Sequence, residues 1–216
     1  ANKGKEYQDA LEVLKKLNLC FDNLKKELLE YLGSLEYKKY NHRIEDRLED
    51  YICKPDEGEH NNKLFLNFNY TSTIKNYWEL VKTPQAKVGK QDSIIVNIHG
   101  KLGDDENPII FGYGDEKNPH YPDIENLNEN EFLKNIKSFW YSQTGNYQVF
   151  SRFIEAEEFK VFILGHWCGI SDRILLKSIF EHDNCNSIQI FYHKRADGTN
   201  DYFEKTQEIS RHFSAE

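Results

Sequence analysis

Five short apolar runs follow one another after Asn62, and they constrain the fold more than any other feature: Leu64 to Phe68, Ile94 to Ile98, Ile109 to Phe111, Val161 to Leu164 and Ile188 to Tyr192. Runs this short suit buried strands rather than helices. Most are separated by segments whose apolar residues fall three and four apart: Thr73 to Val81, Asn130 to Tyr141, Tyr147 to Glu157, Asp172 to Glu181 and Tyr202 to His212. Strands alternating with helices predict an α/β fold, a mainly parallel, doubly wound, Rossmann-like sheet covered on both faces.

The chain before these runs has a different character. Tyr7, Ala10, Leu14, Leu17, Phe21, Leu24, Leu28 and Tyr31 draw one seam along a long amphipathic helix. Gly33 and Ser34 interrupt it, and Tyr37, Tyr40, Ile44, Leu48 and Tyr51 resume a helical stripe. Residues 1–60 therefore read as a helical hairpin, an appendage or insertion, and 61–216 as the α/β core. The hairpin either packs on the core or joins copies of the chain as a homo-oligomer. Between hairpin and core, Lys54 to Asn62 offers nothing to bury and reads as a linker. Gly103 to Glu131 carries nine carboxylates against the single Lys117 and reads as a solvated loop.

A net charge of −8 opposes nucleic-acid or anionic-lipid binding by charge alone. With 14% aromatic residues the chain can still fill a core. No apolar run has the roughly 18 residues of a spanning helix, and Ala1 to Gln8 are polar, so a cytoplasmic protein without membrane contact is expected. Cys20, Cys53, Cys168 and Cys185 form no C-x-x-C pair, which suits a reducing compartment and gives no zinc site. The chain holds no Met and reads as a fragment, or as a sequence from which residues have dropped out.

In an open parallel sheet, ligands bind beyond the carboxyl ends of the strands. There the apolar runs end Asn67-Phe68-Asn69-Tyr70-Thr71, Asn97-Ile98-His99-Gly100, Phe111-Gly112-Tyr113-Gly114 and Gly165-His166-Trp167-Cys168-Gly169-Ile170-Ser171-Asp172. Glycine lets backbone approach a ligand, while Asn and His supply hydrogen bonds and proton transfer. Each residue also has a plainer reading. Asn69 and Thr71 suit a turn or helix cap, His99 a hydrogen-bonded turn, and Ser171 with Asp172 a helix start. His166 and Cys168 lack the second pair a metal needs, and Cys168 as a nucleophile needs a base beside it.

Taken together, FNYTST (Phe68 to Thr73), IHG (Ile98 to Gly100), IFG (Ile110 to Gly112), GHWCGISD (Gly165 to Asp172) and SIFEHDNC (Ser178 to Cys185) resemble the bacteriophage abortive-infection AbiH family. The pattern is also similar to sirtuin-like domains of antiphage systems. That resemblance implies an NAD pocket with Asn69 and His99 as catalytic residues. It puts Gly165 and Asp172 on the nucleotide side, with Thr71, Gly100, His166, Gly169 and Ser171 completing the nucleotide-binding set. NAD would be the substrate, hydrolysed between nicotinamide and ribose, with no separate cofactor and no metal. The other reading is a non-catalytic module that senses a nucleotide or a phage protein. Two departures weigh on phosphate binding and catalysis rather than on fold: no Gly-Asn-Gly-Phe-Asp loop precedes Tyr7, and Trp167 stands where the family tends to have Ser.

Overall fold

The computed structural model describes residues 2–35, 62–81, 93–114, 116 and 119–214. The chain divides into two compact units, Ala1–Phe111 and Gly112–Glu216. Among the described residues are seven α-helices and two two-stranded sheets, both parallel. The α/β class with parallel pairing is present; a single doubly wound sheet is not what these residues display. No helix among them is long and apolar enough to cross a membrane.

The N-terminal unit opens with α1 (Asn2–Ser34). Its buried side is rotated one residue from the seam expected above: Leu11 and Asn18 are buried, whereas Tyr7, Leu17, Leu24 and Tyr31 are exposed. Leu14, Phe21 and Leu28 are half-buried and belong to both stripes. Phe21 stacks on Phe111 at 5.0 Å between ring centroids. The second helix expected over Tyr37 to Tyr51, and all of the linker but Asn62, lie outside the described residues.

Strand β1 (Lys63–Asn67) pairs in parallel with β2 (Ser93–Asn97), in a register that sets Asn67 against Asn97. A parallel pair needs a crossover, and α2 (Thr73–Val81) lies in that connection. The run Ile109 to Phe111 is not a strand. Pro108 has no N–H to extend a ladder, and Ile110 N–H makes a bond to His99 O (2.7 Å) that no neighbouring ladder bond continues. Burial explains the apolarity of the run, since Ile109 and Ile110 are both 4% exposed.

In the C-terminal unit the expected loop Gly103 to Glu131 contains α3 (Tyr121–Asn126), which Pro122 starts and the buried Tyr121 anchors. The helix expected over Asn130 to Tyr141 is broken. A 3-10 turn (Asn130–Phe132) precedes an extended Ile136, and only then come α4 (Lys137–Trp140) and a second 3-10 turn (Tyr141–Gln143). The break arises because Tyr113 N–H bonds Asn135 O (3.0 Å) and Lys137 N–H bonds Tyr113 O (3.2 Å), diverting the backbone from helical pairing. Gly112 permits this approach, since a Cβ there would lie 2.5 Å from Asn135 O. Beyond it, α5 (Asn146–Ala156) buries Phe150 and Ile154, one turn apart. Strand β3 (Phe159–Leu164) then pairs in parallel with β4 (Cys185–Phe191). Between them α6 (Arg173–Phe180) buries Leu175, Leu176, Ile179 and Phe180, three and four apart. The last helix, α7 (Tyr202–Ser210), buries Lys205 and Ile209.

Candidate functional site

The ends of β1 and β2 are joined by side chains. Asn67 Nδ2 donates to Asn97 Oδ1 (2.8 Å) and to Thr71 O (3.2 Å), while Asn67 Oδ1 accepts from Asn69 N–H (3.1 Å). The last bond is an Asx turn, which sets the direction in which the chain leaves β1. Asn69, an exposed residue, and His99, 5% exposed, each stand two positions beyond this asparagine pair. His99 Nδ1 lies 3.0 Å from Phe68 O, the carbonyl of the peptide leading into Asn69. A carbonyl only accepts, so Nδ1 carries the proton and Nε2 is the acceptor of the neutral ring. Phe68 packs edge-on against the imidazole at 5.2 Å. Asn69 and His99 thus both follow the carboxyl ends of the β1–β2 pair.

Their neighbours have structural work as well. Thr71 Oγ1 lies 3.0 Å from Thr73 Oγ1. Gly100 is left-handed at φ 82°, and what approaches it is the chain itself, with Pro108 O where a Cβ would collide.

Gly165 to Asp172 occupy the carboxyl end of β3 in the C-terminal unit. Gly165 is left-handed (φ 69°) with open space around it, and Gly169 is extended. Cys168 is also left-handed (φ 60°), at a cost of roughly 1–2 kcal/mol for a residue with a Cβ. Two histidines hold it there: Cys168 N–H donates to His166 Nδ1 (3.1 Å), and His212 Nε2–H donates to Cys168 O (2.7 Å). Asp172 is buried and does not cap the helix. One carboxylate oxygen accepts from Lys137 Nζ (2.7 Å); the other lies 3.5 Å from His166 Nε2 and 3.4 Å from the Ser171 hydroxyl, which caps nothing. Lys205, also buried, donates to His166 O (3.2 Å) and lies 5.7 Å from the centre of the half-exposed Trp167 ring. The result is a polar cluster, Asp172 between Lys137 and His166, behind a presented indole.

Burial pushes the Cys168 thiol up to about 11, against the opposing pull of Lys205. About one part in a thousand is thiolate at pH 8, too little for a nucleophile. Iodoacetamide at pH 8 is therefore expected to modify the exposed Cys20 within minutes and Cys168 only after denaturation, as read by peptide mass mapping. Equal rates at the two positions would contradict this burial.

Lys137, Lys205 and His212 were not among the residues singled out from sequence, and Asn67 and Asn97 stood in the strand-end segments with no role assigned to them. Asn67 and Asn97 carried a usable signal, an Asn at the last position but one of each of two apolar runs. Lys137 and Lys205 carried none, since a lysine in a helical pattern ordinarily faces water. The expected set falls on both units, with Asn69, Thr71, His99 and Gly100 in one and Gly165, His166, Gly169, Ser171 and Asp172 in the other. A cleft in the C-terminal unit, lined by Arg173, Lys177, Arg211, His212 and Phe213, includes none of them. Among the described residues no group of three or more His, Cys, Asp and Glu could hold a metal ion.

Comparison with curated proteins and with solved structures finds no match. A family model, described as bacteriophage abortive infection AbiH, matches residues 2–194. With strand ends, glycine turns and the GHWCGISD segment all inside that match, the chain belongs to the bacteriophage abortive infection AbiH family.

Proposed function

We propose that this protein acts in phage abortive infection by hydrolysing NAD at the nicotinamide–ribose bond, on a doubly wound, sirtuin-like core. Family membership supports the abortive-infection role. One observation supports the chemistry: Asn69 and His99 each follow by two positions the paired Asn67 and Asn97 at the carboxyl ends of neighbouring strands, with His99 Nδ1 on the Phe68 carbonyl and Nε2 left as the basic nitrogen. In this reaction the C1′–N bond breaks and its electron pair leaves with nicotinamide, neutralising the pyridinium. The ribose becomes oxocarbenium-like, and water oxygen bonds to C1′ while its proton passes to His99 Nε2. Asn69 orients the water or the ribose hydroxyls.

The burial of His99 favours a second reading, a module that binds a nucleotide or a phage protein without turnover. Full-length protein incubated with NAD, alone and with phage lysate, separates the two. The enzyme releases nicotinamide and ADP-ribose in equal amounts, and His99→Ala lowers the rate about 10²- to 10⁴-fold with circular dichroism unchanged. No release in any condition, together with measurable nucleotide binding, establishes the second reading instead.

A further inference from the structure

We propose that the cleft of the C-terminal unit binds inorganic phosphate, as the hydrogen phosphate ion. The cleft, about 240 Å³, is lined by Arg173, Lys177, Arg211, His212 and Phe213. Three cations and no carboxylate are in that lining, in a chain whose net charge is −8. Lys177 pairs with Glu181 (2.9 Å) and Arg211 with Glu208, so an anion shares these cations with two carboxylates and needs an attraction besides charge. His212 supplies it. The residue is 1% exposed, and its Nε2–H donates to Cys168 O (2.7 Å). A carbonyl only accepts, so in the neutral ring Nδ1 is the acceptor, and it has no hydrogen-bond partner among the described residues. Phe180 packs edge-on against the imidazole at 5.8 Å, so the ring cannot turn without giving up both contacts. A buried acceptor left unpaired costs free energy that an O–H on a ligand recovers.

Cations and acceptor together specify the ion. Hydrogen phosphate has one P–OH to donate to Nδ1, and its other oxygens accept from Arg173, Lys177 and Arg211. Sulfate matches it in shape and charge but has no hydroxyl. A phosphate monoester, whose second pKa is about 6, has lost its own at pH 8, and the phosphodiesters of NAD have none. Size agrees, because the cleft falls short of the roughly 300–1,000 Å³ of pockets that hold a drug-sized ligand. Nδ1 is screened from bulk water; the Arg211 side chain, 55% exposed, turns from Glu208 toward the ion and opens the way to it. None of the residues assigned above to a nucleotide lines this cleft, so the site stands apart from the proposed NAD chemistry.

Titration calorimetry on the full chain at pH 8 is expected to show inorganic phosphate bound in equal proportion to protein, with sulfate and methyl phosphate weaker by about tenfold or more. Arg211→Gln and Lys177→Gln each weaken phosphate and sulfate alike, about tenfold, and leave the preference between them intact. His212→Gln keeps an N–H for Cys168 O but puts no acceptor at the place of Nδ1; it lowers phosphate to the sulfate level, with circular dichroism unchanged. Should that variant fail to fold, the nitrogen NMR signal of His212 Nδ1 in the parent chain carries the test, shifting with phosphate and not with sulfate. Phosphate and sulfate bound equally well overturn the inference, as does no binding at millimolar phosphate. Binding indifferent to both cation substitutions overturns it too. Phosphate that binds only after residues 215 and 216 are removed also overturns it, because those residues then fill the cleft.

Discussion

Gly100→Ala is expected to abolish folding of the N-terminal unit, with soluble yield lost and no cooperative urea transition. The residue sits at φ 82°, where an added Cβ costs roughly 1–2 kcal/mol by itself. The larger cost is collision: that Cβ would lie 2.1 Å from Pro108 O, 2.6 Å from Pro108 C and 2.7 Å from Ile109 Cα. All three atoms are backbone, so no side-chain rotation relieves the overlap. Moving the segment instead would pull Ile109 and Ile110 out of the core and break the bonds from Ile110 N–H to His99 O (2.7 Å) and from Lys101 N–H to Asn107 O (2.9 Å). The loss therefore belongs with the exceptional substitutions, above about 4–5 kcal/mol. Gly103→Ala is the control, because Gly103 has φ 72° but nothing within 4 Å, and about 1–2 kcal/mol is expected there. If urea curves of the two variants coincide, the close approach at Gly100 is not what holds this turn. The comparison also bears on function, since the glycine of the HG dipeptide is first needed by the fold.

The sequence revealed most where a short apolar run meets a polar stop. Both parallel pairs, the connecting helices α2 and α6, and the position of Asn69 and His99 just beyond the ends of neighbouring strands follow from that pattern. It revealed less where tertiary hydrogen bonds override local periodicity. Asn130 to Tyr141 has helical spacing, yet the bonds between Tyr113 and the Asn135 and Lys137 backbones extend Ile136 and reset the register. Ile109 to Phe111 has strand composition, yet Pro108 and the contact with Phe21 make it packing rather than ladder. On α1 the apolar residues suffice for two overlapping stripes, and spacing alone could not tell which one the core takes. The same ambiguity hid Lys137 as the partner of Asp172, because nothing in a linear pattern says that a lysine after a broken helix turns inward.

Lys137→Met is expected to destabilise the C-terminal unit by about 3–5 kcal/mol, the cost of leaving a buried carboxylate without its partner. The pair is well enclosed, with side-chain exposures of 9% for Lys137 and 8% for Asp172, and short, at 2.7 Å. His166 Nε2, at 3.5 Å from the other carboxylate oxygen, is a longer contact than the 2.7 Å lysine bond and compensates only in part. At about 2–4 °C per kcal/mol for a chain of this length, the melting temperature should fall by roughly 10 °C. The double variant Lys137→Met with Asp172→Leu should recover most of that loss, since an apolar pair of similar volume often replaces a buried ion pair at little net cost. A single variant within about 1 kcal/mol of the parent would mean that water or a shifted proton already serves Asp172. The double variant then isolates function from stability. Asp172 is held by Lys137, His166 and Ser171, so in the proposed nucleotide site it would act through the placement of His166 and of the strained Cys168 loop. A refolded double variant that binds NAD normally would assign the cluster to structure alone, and one that is stable but has lost binding would assign it to positioning the glycine turn beneath the nucleotide.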